Sequence, residues 1–176
     1  LGDVYKRQLE GFLGRHEMEE YYQALKARGI DSRMFFREAF KLTNITLDGD
    51  TSPLADIPKD RPVLFIANHP FGVIDGLIMC NIALDYANDF QVVINSLLCQ
   101  DRDLVPHFLP IDFSETKEAA KRNVRSKQLA GKALANGVPL ILFPSGHVST
   151  ADAPGFGDVV DAPWTCLLYT SPSPRD

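Results

Sequence analysis

A chain of 176 residues fits one domain, and a composition 45% hydrophobic and 23% charged is an ordinary globular balance. A net charge of −5 argues against nucleic acid as a bulk partner. No run of about 18 apolar residues offers a membrane-spanning helix, the polar start lacks the apolar core of a signal peptide, and Cys80, Cys99 and Cys166 have no zinc or redox spacing, so a reducing cytoplasm is the default expectation.

In chain order, residues 17 to 29 read as a helix with Met18, Tyr21, Tyr22 and Leu25 on one face and Gly29 as its stop. Asp31 or Ser32 caps a second helix carrying Phe35, Phe36, Ala39 and Phe40 on one face. That aromatic stripe packs on the domain or faces a membrane. Ile45 and Leu47 alternate with polar residues, which suggests a half-buried strand over residues 43 to 48, and Gly49-Asp50 with Pro53 to Pro58 makes a loop. Val63-Leu64-Phe65-Ile66-Ala67 is an unbroken apolar run and reads as a buried central strand. It delivers Asn68-His69-Pro70 into a turn at Gly72, and residues 75 to 87 follow as a helix that is apolar almost all round at Leu77-Ile78-Met79-Cys80.

Gln91 to Asn95 reads as the next strand, with Asn95 at its C-terminal end as a site residue or a turn former. Residues 98 to 112 look irregular because Pro106 and Pro110 break the periodicity, and His107 there reads as surface, with a chemical role left open. Ser114 is positioned to cap a long helix to about Asn136, with Gly137 beyond its end. Lys117, Lys121, Arg125 and Lys132 fall within an arc of about 80° on it, which is a solvated face or one drawn to an anionic surface. Val138 to Phe143 is a further apolar strand ending in Pro144-Ser145-Gly146-His147, and the glycine- and proline-rich segment Asp152 to Asp161 reads as a loop over the site.

Two apolar strands thus end in polar, glycine-containing turns, and in a parallel sheet both open on the edge where ligands bind. An imidazole takes a proton near neutral pH, so His69 is the candidate general base. Asp75 is the candidate to hold its tautomer and stabilise its charged form. The plainer alternative is that His69 caps the following helix and Asp75 is a solvated first-turn acid.

Asn68-His69…Asp75 resembles the first motif of the lysophospholipid/glycerol-phosphate acyltransferase superfamily, and Phe143-Pro144-Ser145-Gly146-His147-Val148-Ser149-Thr150 resembles its third. The wording is nearest the hemolysin-like branch, and the likeness spans about residues 43 to 165. It implies an α/β domain with a mixed, largely parallel sheet flanked by helices, preceded by an N-terminal helical region over residues 9–42. It also implies transfer of a fatty acyl group from an acyl thioester, on CoA or an acyl-carrier protein as co-substrate, to a lysophospholipid or related acceptor. In that reading His69 deprotonates the acceptor, Asp75 orients His69, and no metal or further cofactor is needed. Asn68, Pro70, Phe71, Gly72, Asn95, Phe143, Pro144, Ser145, Gly146 and His147 would line the acceptor side, and the domain would sit peripherally on the inner face of the cell membrane. Five residues separate His69 from Asp75 where the family usually has four, and Ser145 stands where its third motif has Glu, which puts glycerol-phosphate recognition in doubt. No clear second motif is legible in residues 98 to 112.

Residues 1–8 and 166–176 resemble translated sequencing-adaptor read-through and are set aside from fold reasoning. On that expectation Cys166 is not native, and the natural domain continues past Thr165. The rival classes are a serine hydrolase using Ser145 with His69 or His147, a metal phosphoesterase, and a lipid- or carrier-binding module without turnover. Pro144-Ser145-Gly146 lacks the glycine pattern of a nucleophile elbow, and Asn68, His69 and Asp75 are too few ligands for a metal centre.

Overall fold

The structure, a computed structural model, describes residues 15–42, 44–99, 101–153 and 156–164. Both adaptor-like ends lie outside these. Helix α1 (Arg15–Ala27) stops as Gly29 takes φ +60°, a conformation open to a residue without Cβ. Helix α2 (Ser32–Leu42) is capped by Asp31, whose carbonyl accepts the Phe35 N–H at 3.0 Å and whose carboxylate accepts the Arg33 N–H at 2.9 Å. Phe35 and Phe36 of its aromatic stripe belong to the core. Phe36 is 5% exposed and meets the rings of Phe90, His107 and Phe108 edge-on, at centroid distances of 5.0, 5.5 and 6.3 Å. Burying such a side chain is worth about 1.5–3 kcal/mol, so Phe36 is committed to the fold rather than to a membrane.

Four parallel strands form the main sheet: β1 (Leu64–Ile66), β2 (Gln91–Asn95), β3 (Phe108–Ile111) and β4 (Leu140–Leu142), in the order β1-β4-β2-β3. Successive strand residues point to opposite faces, and the core divides accordingly. Phe65, Val92, Phe108 and Ile141 face helix α3 (Val73–Ala87), which brings Cys80, Ala83 and Leu84 together with Phe36 of α2. Val93, Leu109 and Leu140 face helix α4 (Lys117–Ala135), which brings Ala130 and Ala133. An α/β domain with helices on both faces of a parallel sheet results.

Several local expectations need correction. The run from Val63 to Ala67 is not a central strand. β1 lies at the sheet edge, and Ile66 on its α4-facing side is 51% exposed, because α4 packs on β3 and β4 and leaves an apolar groove beside Leu64. Residues 45–48 pair with no strand, and Leu47 is exposed; the alternation there marks a surface-running coil. β3 lies within the stretch read as irregular. Its Pro110 pairs in register with Ile94, and because β3 is the opposite edge the missing N–H faces no neighbour. His107, read as surface, is buried. Its ring stacks on Phe90 at 4.9 Å and Nε2 meets the Ser32 hydroxyl at 2.8 Å, tying α2 to the sheet. Where a loop was expected, β5 (Thr150–Ala153) and β6 (Phe156–Val160) pair antiparallel; Pro154 and Gly155 fall between them in sequence.

The cap of α4 is Thr116, whose Oγ1 accepts the Ala119 N–H at 3.0 Å, rather than Ser114. Ser114 instead gives its N–H and hydroxyl to Asp112 Oδ1, at 2.9 and 2.7 Å, while Arg122 bonds the other oxygen. The Ser114 hydroxyl and N–H, joined by the Arg122 guanidinium, hold the Asp112 carboxyl down at about 2 against its ordinary 3.8. A carboxylate depressed in the native state stabilises it above the unfolded value and loses that contribution as pH falls through the native value. Urea midpoints of the wild type should therefore fall more steeply than those of Asp112→Asn between about pH 4 and about pH 2. Parallel curves would show that this turn contributes nothing to acid sensitivity.

Candidate active site

The site forms where β1 and β4, neighbours in the sheet, release their chains at the same edge. The last ladder bond runs from the Ala67 N–H to the Leu142 carbonyl at 3.4 Å. Asn68, His69 and Pro70 then lead to Gly72, at φ 63° and ψ −118°, which turns the chain into α3. A side chain at that φ is strained, and a Cβ there would already touch Val148 at 3.5 Å, so the turn calls for glycine.

Asp75 stands buried in the first turn of α3. Its Oδ2 accepts the Phe71 N–H at 2.7 Å and meets His69 Nδ1 at 3.1 Å. The Phe71 bond curls the five-residue spacer back on itself, so the longer spacing still joins the pair. A carboxylate oxygen accepts, so in the neutral imidazole this contact puts the hydrogen on Nδ1 and leaves the lone pair on Nε2. The imidazole lies flat on Phe143 from the neighbouring strand, with centroids 4.1 Å apart and planes at 24°. It keeps 19% of its side-chain surface exposed.

The turn after β4 is built differently from the one after β1. Pro144 and Ser145 are buried, the latter to 2% exposure, and the Ser145 hydroxyl donates to the His147 carbonyl at 2.8 Å. Ser145 therefore shapes its own turn. Gly146, at φ 68°, lies under the Phe113 ring, and exposed His147 tilts against the same ring at 5.4 Å. Asn95 ends β2 on this edge, but its Oδ1 accepts the Leu97 N–H at 3.0 Å and caps the short turn Ser96–Leu98. Asn68, Pro70 and Phe71 are exposed around His69. The contacts thus unite His69, Asp75, Phe71 and Phe143, while Ser145 and Asn95 are each bonded within their own turns. Burial pushes the Cys80 thiol well up and the Cys99 thiol up as well, so neither sits in the electropositive setting of an activated thiolate.

Sequence reasoning missed Ser149 and Asp161. The Ser149 N–H donates to the His69 carbonyl at 2.8 Å, and the Asp161 Oδ1 accepts the His69 N–H at 3.3 Å and the Ser149 hydroxyl. Trp164 Nε1 donates to the other oxygen at 3.2 Å. Partial burial works to raise the Asp161 carboxyl, but bonds from Ser149, His69 and Trp164 outweigh it and hold it below the usual range. A single Asp in a segment rich in turn formers carries no spacing signal; only the antiparallel return of β6 brings it beside His69.

No curated protein and no solved structure matches the chain. A family model described as Acyltransferase matches residues 7–171, a span that takes in both strand-end turns, the His69–Asp75 pair and Asp161. With that match over nearly its whole length, the chain belongs to the acyltransferase family.

Proposed function

We propose that the protein moves a fatty acyl group from an acyl thioester, on CoA or an acyl-carrier protein, to the hydroxyl of a lysophospholipid or related lipid precursor. The observation that carries this reading is the His69–Asp75 contact of 3.1 Å at the open edge of the sheet, in a chain of the acyltransferase family. His69 Nε2 takes the proton of the acceptor hydroxyl as its oxygen attacks the thioester carbonyl carbon. The tetrahedral intermediate collapses, the C–S bond breaks, and His69 returns the proton to the departing thiolate. Asp75 holds the ring and stabilises the imidazolium between the two transfers. For the oxyanion, Pro70 has no N–H and the Phe71 N–H is already given to Asp75, which leaves Gly72 as the backbone donor of this turn.

The reading places the domain peripherally on a membrane, on the cytoplasmic face where its thioester donor is available. Two features support it. Phe71, Leu97, Leu98 and Phe113, all exposed, occupy the turns after β1, β2 and β3, on the edge that carries His69. Helix α4 carries six Lys or Arg against one Glu, in a chain of net charge −5, which suits an anionic lipid surface. No helix among the described residues is long and apolar enough to cross a membrane.

The test is a transfer assay in which the purified chain receives a long-chain acyl thioester and a panel of lysolipids, with products read by mass spectrometry. An acylated lipid is expected, and its identity names the acceptor. Free fatty acid with no acylated lipid would mean hydrolysis, and neither product from a folded chain would overturn the reading.

A further inference from the structure

We propose that Asp161, with Ser149, is a positioning residue that fixes the main chain of His69 and thereby aims its ring; the inference rests on the role of His69 given above. Among the described residues β1 is a three-residue edge strand paired on one side, and its ladder ends at Ala67. His69 therefore leaves the sheet with both backbone polar groups in need of partners from elsewhere. The β5–β6 pair supplies both. The Ser149 N–H bonds the His69 carbonyl, and the Asp161 carboxylate receives the His69 N–H. Ser149 and Asp161 flank the paired residues Thr150 and Val160, so the pairing holds the two partners at a fixed separation, and the Ser149 hydroxyl to Asp161 bond locks them together.

A general base works only when held within a fraction of an ångström of its productive position. The His69 ring stacks on Phe143 and bonds to Asp75. Both contacts depend on where its Cα sits, and the Asp161–Ser149 pair sets that. Asp161 accordingly acts through His69 and not on the substrate.

Two readouts on Asp161→Ala and Asp161→Asn test this. The first is hydrogen exchange of the His69 amide in the absence of substrate. Asp161→Ala should raise its exchange rate at least tenfold while core amides of β2 and β4 keep wild-type protection. Asp161→Asn retains a carbonyl acceptor for that N–H and should recover most of the protection. The second is steady-state transfer, where Asp161→Ala should lower kcat by about 10- to 100-fold with KM within about twofold, the scale of a misplaced catalytic group, and Asp161→Asn should restore most of it. A folded Asp161→Ala with wild-type His69 exchange overturns the proposal, as does wild-type kcat in that variant when wild-type enzyme is active. Should Asp161→Ala fail to fold, Ser149→Ala decides by the same two readouts: it removes the hydroxyl that locks Asp161 in place, so His69 amide exchange should rise severalfold and kcat should fall, and full wild-type behaviour in that variant overturns the inference. If the wild type transfers no acyl group at all, the functional reading has failed, and the exchange experiment still decides whether Asp161 holds His69.

Discussion

His69→Ala should lower kcat for acyl transfer by about 10²- to 10⁴-fold, the range a positioned general base supplies. KM for the thioester should change little, because the lost group acts on the acceptor proton. The fold should survive. The imidazole is partly exposed, and its stack on Phe143 is worth about 0.5–1.5 kcal/mol at most. Circular dichroism and a urea titration alongside the transfer assay check both halves. A variant that keeps wild-type kcat would remove His69 from the chemistry; a variant that loses binding but not turnover would make it an acceptor contact.

Substitution of Asp75 should be nearly as damaging, but for two separable reasons, because its Oδ2 serves both His69 Nδ1 and the Phe71 N–H. Asp75→Ala removes the acceptor of both bonds and leaves the Phe71 N–H unpaired, at a cost of about 1–3 kcal/mol in stability. Asp75→Asn keeps a carbonyl oxygen for Phe71 and loses the charge that stabilises the imidazolium. We expect the Asn variant to unfold within about 1 kcal/mol of the wild type while its kcat falls on the order of 10²- to 10⁴-fold. Equal urea midpoints with wild-type turnover in Asp75→Asn would show that Asp75 is a structural cap and nothing more.

The parts of this architecture that were legible are those whose signal is local. Gln91–Asn95 stands as a strand because a short β-branched run between turn formers has few alternatives. The His69–Asp75 pair was legible because both residues lie on one strand–turn–helix unit, whose geometry the glycine already announces. The same logic misled at β1: an unbroken apolar run predicts burial on both faces, yet Ile66 is open because α4 leaves that end of the sheet uncovered. Pro110 hid β3, since a proline argues against a strand unless the strand is known to be an edge, and edge position is a property of the whole sheet. His107 looked like a loop residue because nothing nearby in sequence reports that Ser32 and Phe90 close over it. At the site, the stack of His69 on Phe143 and the grip of Asp161 on the His69 backbone join segments 74 and 92 residues apart, respectively, and exist only through strand order and the antiparallel return of β6.

In the proposed reaction the acyl group passes directly from thioester to acceptor under base catalysis by His69. Rapid-quench single turnover measures this most directly, with lipid product and intact protein mass read from the same samples for wild type and His69→Ala. Acylated lipid is expected from the wild type, little or none from His69→Ala on the same time scale, and an unchanged protein mass in both. An acylated protein that forms and decays at the rate of turnover, or product from His69→Ala at the wild-type rate, would contradict that proposal.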